Sequence, residues 1–279
     1  MSKNNNIHKE KDGRLPLTRK EQVWYLIKNE LGVLFLSNVV TFLFTLPLIL
    51  VFVFGSITFH QYTLETSKTM GDYFNLFLMY GFLLIPTVLI MGIGRCGLTS
   101  VIKQMVFESS AKFSTFFSGF KNNFKAFFFT YLALGILSGA LVVNFGYLRY
   151  VEGNMVFKGI LFGANCLLLF TLILSLPNIE FEGVTFNNYL FAYYRNGLYM
   201  FYKSFPFSLL TLLLYVTPIV LVCFVPIKVF FIPLGILATF YIALSSLISF
   251  IICLYSYEKI IPQEQLEGVY HVGLEDINL

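Results

Sequence analysis

The chain has 279 residues, of which 57% are hydrophobic and 12% are charged. An average soluble domain is about one-quarter charged, so this composition excludes an ordinary water-soluble domain. The formal net charge is +4, and the distribution of the basic residues along the chain is more informative than this total. The four cysteines stand in or beside apolar segments without metal-ligand spacing, and we interpret them as small buried apolar residues.

The first thirty residues form a polar segment that carries seven lysines or arginines. No secretory signal peptide is expected here, because the segment lacks the apolar core of such a peptide. We assign residues 1–30 to a cytoplasmic N-terminal tail. Within it, residues 17–30 are predicted to form a short amphipathic helix, with Thr18 as N-cap and Glu21 at the capping-box spacing.

Long stretches without any charged residue recur along the rest of the chain. Each has about 20 to 34 residues, enough for a helix to cross a bilayer core of roughly 30 Å. A large soluble core would instead require polar faces on most of these helices. The sequence therefore predicts an all-α, polytopic transmembrane bundle over residues 31–256, followed by an acidic cytoplasmic tail over 257–279. The six predicted spans are 31–55, 75–95, 127–148, 157–178, 206–227 and 230–255.

Lysine and arginine are distributed unevenly between the two sides that these spans define. Fifteen fall in the N-terminal tail, the two long connections on the same side and the C-terminal tail, and four fall in the other connections. Under the positive-inside rule, the richer side is cytoplasmic. The predicted location is therefore the bacterial cytoplasmic membrane, with several passes and with both termini in the cytoplasm.

The two long inner connections have an aromatic periodicity of a helical kind. In the first, Phe113, Phe116, Phe120 and Phe124 recur at helical spacing, and Phe191, Tyr194, Leu198 and Tyr202 do so in the second. Both connections are predicted to be amphipathic helices on the cytoplasmic membrane surface.

The two inner connections also match each other. A shift of 78 residues aligns "FKAFFF" (124–129) with "YKSFPF" (202–207). This match indicates an internal repeat, 75–148 and 157–227, of the kind found in transporters. Chance similarity between two aromatic-rich segments is the alternative.

The predicted spans contain no acidic residue or histidine near their middles. Proton-coupled transport needs such groups inside the membrane, acid–base catalysis needs a pair of them, and metal sites need clusters. No phosphate-binding loop is present either. We therefore expect no enzyme, no cofactor, no metal and no ATP hydrolysis by this chain.

Several polar and aromatic residues are candidates for interaction. Arg95 lies in "GIGRCGLTSVIK" (92–103), where its head is expected to reach lipid phosphate or water. Glu180 and Glu182 are interpreted as solvated charges at the cytoplasmic surface, with a contact to the basic residues of the other half as the alternative. The candidate residues for docking a partner or the interface are Arg95, Phe116, Phe117, Phe120, Lys121, Asn123, Phe124, Lys125, Tyr194, Tyr202 and Lys203.

Other candidates concern packing between helices. Gly135 and Gly139 are four residues apart on the third span and predict a close-packing face, within the chain or, less directly, in a dimer. Asn38 and Asn165 are expected to donate hydrogen bonds between helices.

Three stretches resemble the YesL-like family of bacterial membrane proteins, catalogued as domain of unknown function 624. "NVVTFLFTLP" (38–47) is similar to that family's first-helix pattern, "GIGRCGLTSVIK" (92–103) to its next segment, and "FFSGFKNNFK" (116–125) to its most distinctive element. The segment after Pro177 is similar to the family's second half. The chain departs from the pattern by an insertion of about forty residues (48–90) and by Ile93 and Arg95, where the family has Pro and Thr.

The resemblance implies a small polytopic protein, common in Gram-positive bacteria and associated with carbohydrate uptake. It carries over no catalytic residue. Our leading hypothesis is a non-enzymatic accessory or regulatory component of a carbohydrate uptake system, with membrane lipids and transporter components as partners and no nucleic acid. The alternative is a stand-alone transporter or facilitator of a neutral solute. A membrane enzyme would need a cluster of polar side chains at one depth, which the sequence does not display.

Overall fold

The computed structural model describes residues 16–65, 67–186, 188–224, 231–266 and 268–274. The predicted tail residues 1–15 and 275–279 and most of the last outer connection lie outside the described residues. The described helices are α1 (Arg19–Leu64), α2 (Met70–Glu108), α3 (Thr115–Tyr150), α4 (Met155–Thr185), α5 (Leu190–Lys203), α6 (Phe205–Phe224), α7 (Phe231–Ile236) and α8 (Ile242–Ile260), with a π-helical turn at Leu237–Tyr241.

Five helical segments are long and apolar enough to cross a membrane, namely α1 to α4 and the run Leu234–Ile260. A sixth crossing results if α5 and the adjoining Phe205–Leu214, which are bent by 104° from each other, count as one span. The described residues contain no strand. The prediction of an all-α helical bundle is therefore confirmed, and its helices are those of a multi-pass membrane protein.

The helices extend well beyond the predicted spans. α2 continues to Glu108 and α4 to Thr185, and α3 begins at Thr115, so that the segment predicted as a first interfacial helix is the first part of α3 itself. Several polar residues in these extensions are buried in protein, among them Ser100, Glu180 and Glu182. The first charged residue after an apolar run thus marks the end of that run. It does not mark the end of the helix, because a charged residue inside protein can remain helical.

The beginning of α1 has the predicted cap. The Glu21 backbone N–H donates to Thr18 Oγ1 at 3.3 Å, and the Leu17 N–H donates to Glu21 Oε2 at 3.0 Å, which pairs two amides that lack helical acceptors. α1 is interrupted once, at Glu30, where φ is −118° and ψ is 21°. This break coincides with the predicted boundary between the amphipathic helix and the first span.

The chain divides into two compact units. Unit 1 contains the described parts of Met1–Phe42, Cys96–Phe124 and Ser175–Leu279, and unit 2 contains Leu43–Arg95 and Lys125–Leu174. Each of the helices α1 to α4 has one part in unit 1 and the other part in unit 2.

Unit 2 is held together by close backbone contact between α2 and α3. A Cβ atom built on Gly139 would lie 2.4 Å from the Gly81 carbonyl oxygen, and one on Gly135 would lie 3.1 Å from the Ile85 backbone. Real Cβ atoms do not approach other atoms to 2.4 Å, so glycine is required at residue 139. The two glycines that the sequence indicates for helix packing therefore lie against a helix of the same chain.

The glycines of "GIGRCG" also lie at close contacts. Within unit 2, Gly92 lies against the ring of Tyr131 and Gly94 against Phe44, with built Cβ distances of 2.5 and 2.7 Å. Within unit 1, Gly97 lies against the ring of Phe116, at 2.5 Å. This stretch of α2 is therefore a surface on which aromatic rings of neighbouring helices pack.

In unit 1, the beginning of α1 is joined to the end of α8. The guanidinium of Arg19 forms an ion pair with Glu258 and donates to the Val272 carbonyl oxygen at 2.7 Å. Leu266 and Val269 are buried. The described part of the predicted C-terminal tail is thus a packed segment, and its Val272 carbonyl oxygen accepts from both Arg19 and Gln22 of α1.

Candidate functional site: a buried polar centre beside α5

The most unusual feature of unit 1 is a buried carboxylate on the last turns of α4. Glu182 is 2% exposed. Its Oε1 accepts from the Tyr257 hydroxyl at 2.9 Å, and its Oε2 accepts from the side-chain amides of Asn188 at 3.1 Å and Asn196 at 3.5 Å. All three donors are neutral. Burying a carboxylate is costly without hydrogen bonds, so these donors are what allow it to lie here.

Glu182 connects three elements of unit 1. Tyr257 is fully buried on α8, Asn196 lies on α5, and Asn188 lies in the connection between α4 and α5. The Tyr257 ring packs on Phe181, with ring centroids 4.8 Å apart. The carboxylate therefore links α5 and α8 to the end of α4.

Glu180 lies two residues before Glu182 and is 4% exposed. Cys96 on α2 and Cys253 on α8 are buried in the same unit. The interpretation of Glu180 and Glu182 as solvated surface charges is therefore wrong. α4 does not end near Pro177, and its continuation carries both carboxylates into the protein interior.

Further polar pairs join helices within unit 1. The Asn123 amide donates to Ser100 Oγ at 3.1 Å, and the Asn178 amide donates to Ser208 Oγ at 3.4 Å. The Lys103 ammonium donates to the Val184 carbonyl oxygen near the end of α4. Each pair joins two helices, so this polar centre is also where the helices of unit 1 are tied together.

A second buried polar contact involves the π-helical turn before α8. The Asn38 side chain is fully buried. It donates to the carbonyl oxygens of Leu237 at 2.9 Å and Ala238 at 2.7 Å, and it accepts from the Ala243 N–H at 2.7 Å. A π turn interrupts the regular pairing of helix backbone groups. Asn38 therefore supplies the partners that these backbone groups need inside a membrane helix.

α5 is the amphipathic helix predicted for the second inner connection. One face is buried, and Gly197 on that face lies against Ile179 of α4, with a built Cβ distance of 2.5 Å. The opposite face is apolar as well, since Phe191 is 70% exposed and Tyr202 is 69% exposed. Arg195 and Lys203 are exposed beside these rings. α5 thus has an exposed face of aromatic and basic side chains, opposite the face that packs on the other helices of unit 1.

Several residues predicted for docking are exposed. The exposed residues are Phe117, Lys121, Phe124, Lys125, Tyr202 and Lys203. The half-buried ones are Phe120, Asn123 and Tyr194. Phe116 is 2% exposed because its ring fills the space over Gly97. Phe116 is therefore not available to a partner, which corrects that prediction.

Arg95 is also buried, with 6% of its surface exposed. The expectation that its head reaches lipid phosphate or water is therefore wrong. The physical reason is the length of α2, which continues for three further turns beyond Arg95 and carries the fully buried Cys96, Leu98 and Val101.

We expect replacement of Glu182 by leucine to loosen α5. The buried Tyr257 hydroxyl would lose its acceptor, at a cost of about 1–3 kcal/mol. The more exposed amides of Asn188 and Asn196 would lose their hydrogen bonds to α4. Amide hydrogen exchange in α5 should rise at least about tenfold. Glu108→Leu is the matched control, because Glu108 is exposed at the end of α2. Unchanged exchange in α5 of Glu182→Leu would contradict the anchoring role of this carboxylate.

No protein-family model, curated protein or solved structure matches the chain. Membership of the YesL-like family therefore stays a prediction from the sequence.

Proposed function

We propose that this multi-pass membrane protein is a non-enzymatic accessory or regulatory subunit in the bacterial cytoplasmic membrane. The observation that carries the proposal is α5. This helix contacts α4 through Gly197 and through the hydrogen bond from Asn196 to Glu182, yet it leaves an exposed face of aromatic and basic side chains. Exposed aromatic residues with neighbouring arginines are typical of protein interfaces.

The cytoplasmic orientation of that face belongs to the same proposal. The uneven distribution of lysine and arginine supports cytoplasmic termini. The contact between Arg19 and Glu258 supports an even number of crossings between the beginning of α1 and the end of α8. The carbohydrate-uptake system as partner is supported by the YesL-like resemblance alone.

Affinity purification from native membranes in a mild detergent tests this function. We expect a carbohydrate uptake transporter to co-purify in stoichiometric amount, and Phe191→Ser with Tyr202→Ser to reduce its yield at least about tenfold, because both changes remove exposed aromatic anchors. The matched control is Phe157→Ser, an exposed aromatic on α4 in unit 2. Absence of a transporter component, together with unchanged sugar uptake after deletion of the gene, would refute the proposal.

A second candidate function is transport by the chain alone. The observation that favours it is the buried carboxylate of Glu182, since an ionisable group inside a membrane helix bundle is a common proton or substrate site. Purified protein in liposomes should then take up labelled neutral sugars, and Glu182→Gln should reduce a proton-driven uptake about tenfold or more. Liposomes without any uptake would exclude this second function and leave the first untouched.

A further inference from the structure

A groove of about 460 Å³ lies between α1 and α8, entirely within unit 1. It is open along one side. Apart from one lysine, its lining is apolar. The lining residues are Lys20, Val23, Trp24, Ile27, Leu31 and Leu34 from α1, and Phe240, Ala243, Leu244 and Ile248 from the π turn and α8.

The groove has one polar end and one apolar end. Lys20 lies at the polar end, is exposed, and has no hydrogen-bond or ion-pair partner within the part of the chain that the structure describes. Trp24 lies one turn further along α1 and is 67% exposed. At the other end lies Phe240, whose ring packs on Phe35 with centroids 5.5 Å apart.

The dimensions of the groove match a lipid chain. From Lys20 to the break at Glu30 it follows α1 for ten residues, which is roughly 15 Å at 1.5 Å per residue, and beyond the break it continues to Leu34. One leaflet of a bilayer contributes about half of the 30 Å hydrocarbon core, or about 15 Å. A cation followed by a tryptophan and then by apolar side chains is also the order met on going from the headgroups into the membrane.

We propose that this groove binds one acyl chain of an anionic membrane phospholipid, whose phosphate pairs with the ammonium group of Lys20. The apolar lining binds any chain of suitable length, and the free cation at the polar end selects the negative headgroup. The neighbouring Arg19 is already occupied by Glu258, so that of these two adjacent cations Lys20 is the one that can pair with the phosphate. This lipid site requires only that the protein lies in a membrane. It does not depend on the proposed accessory function.

The protein carries its own probe for this site, because Trp24 is its single tryptophan. The full chain is reconstituted in vesicles of phosphatidylcholine that contain brominated phosphatidylglycerol or, separately, brominated phosphatidylcholine. Bromine quenches tryptophan fluorescence on contact, so the ratio of the two quenching curves gives the lipid preference at Trp24. We expect a preference for phosphatidylglycerol of about fivefold, as one lysine near a membrane surface supplies.

Three variants make this test specific. Lys20→Gln should reduce the preference to about one, and Ile27→Phe, which places a larger ring in the groove, should also lower it. Lys121→Gln removes an exposed cation of unit 1 outside the groove and should leave the preference unchanged. Equal quenching by the two brominated lipids in the wild type would overturn the proposal. A preference that persists in Lys20→Gln, or that falls equally in Lys121→Gln, would also overturn it, because both results indicate a general surface charge.

Discussion

Replacement of Asn38 by leucine is expected to lower the free energy of unfolding by about 3 kcal/mol. The substitution removes the acceptor of the Ala243 N–H and the donor to the carbonyl oxygens of Leu237 and Ala238. Each buried backbone group left without a partner costs about 1–3 kcal/mol, although interhelical hydrogen bonds in membrane proteins are often worth less. Leucine itself is compatible with a membrane helix, so the loss reports on the hydrogen bonds.

Asn165 provides the matched control. Its amide makes one long hydrogen bond, of 3.4 Å, to the Leu137 carbonyl oxygen. We expect Asn165→Leu to cost less than about 1 kcal/mol. Unfolding of both variants in detergent, followed by circular dichroism, measures the difference. Equal losses in the two variants would show that Asn38 has no special role at the π turn.

Replacement of Gly139 by alanine is expected to cost about 2 kcal/mol. The added methyl group would lie 2.4 Å from the Gly81 carbonyl oxygen, so that α2 and α3 must move apart and lose contacts over several turns. Overpacking of this kind costs about 1–3 kcal/mol. The loss should appear as a lower melting temperature of the purified protein.

Gly159 of α4 serves as the control for this change. A Cβ atom at Gly159 meets no other atom within 4 Å. Gly159→Ala should therefore be neutral or should stabilise the helix by up to about 1 kcal/mol, because alanine is the better helix former. If Gly139→Ala melted at the same temperature as Gly159→Ala, the close contact between α2 and α3 would be disproved.

The helical class and the approximate spans could be predicted because a charge-free run of twenty residues has few alternatives to a membrane helix. The break of α1 at Glu30 also had a signal, namely the change from an amphipathic to an apolar sequence. The packing of Gly139 could be anticipated from its spacing with Gly135. Its partner, Gly81, could not, because no local pattern tells which helix lies opposite.

The buried polar centre was missed for a physical reason. Carboxylates after Pro177 resemble the exit of a helix from the membrane, because charge and proline are both common there. The usable signal was the spacing of Asn178 and Glu182, which places an amide and a carboxylate on one face of a continuing helix. The π turn at Leu237–Tyr241 has no signal in composition, and the side chain that pairs its backbone groups, Asn38, is distant in sequence.

The two inner connections diverge in the structure although their sequences match. The first is continuous with α3 and its Phe116 is buried against α2, whereas α5 is a separate helix bent by 104° from the one that follows. The difference follows from what each segment meets. Gly97 leaves space for the Phe116 ring, whereas Tyr194, the equivalent residue of α5 under the 78-residue shift, is only half-buried.

Photocrosslinking from residue 202 in native membranes tests the proposed accessory function most directly. A photoreactive amino acid in place of Tyr202 keeps the chain and its membrane intact, and the same substitution at Phe157 serves as control. We predict that irradiation joins residue 202, and not residue 157, to a subunit of a carbohydrate uptake transporter that peptide sequencing identifies. Crosslinks from residue 202 to lipid alone, at the level seen from residue 157, would contradict the assignment of α5 as a partner-binding face.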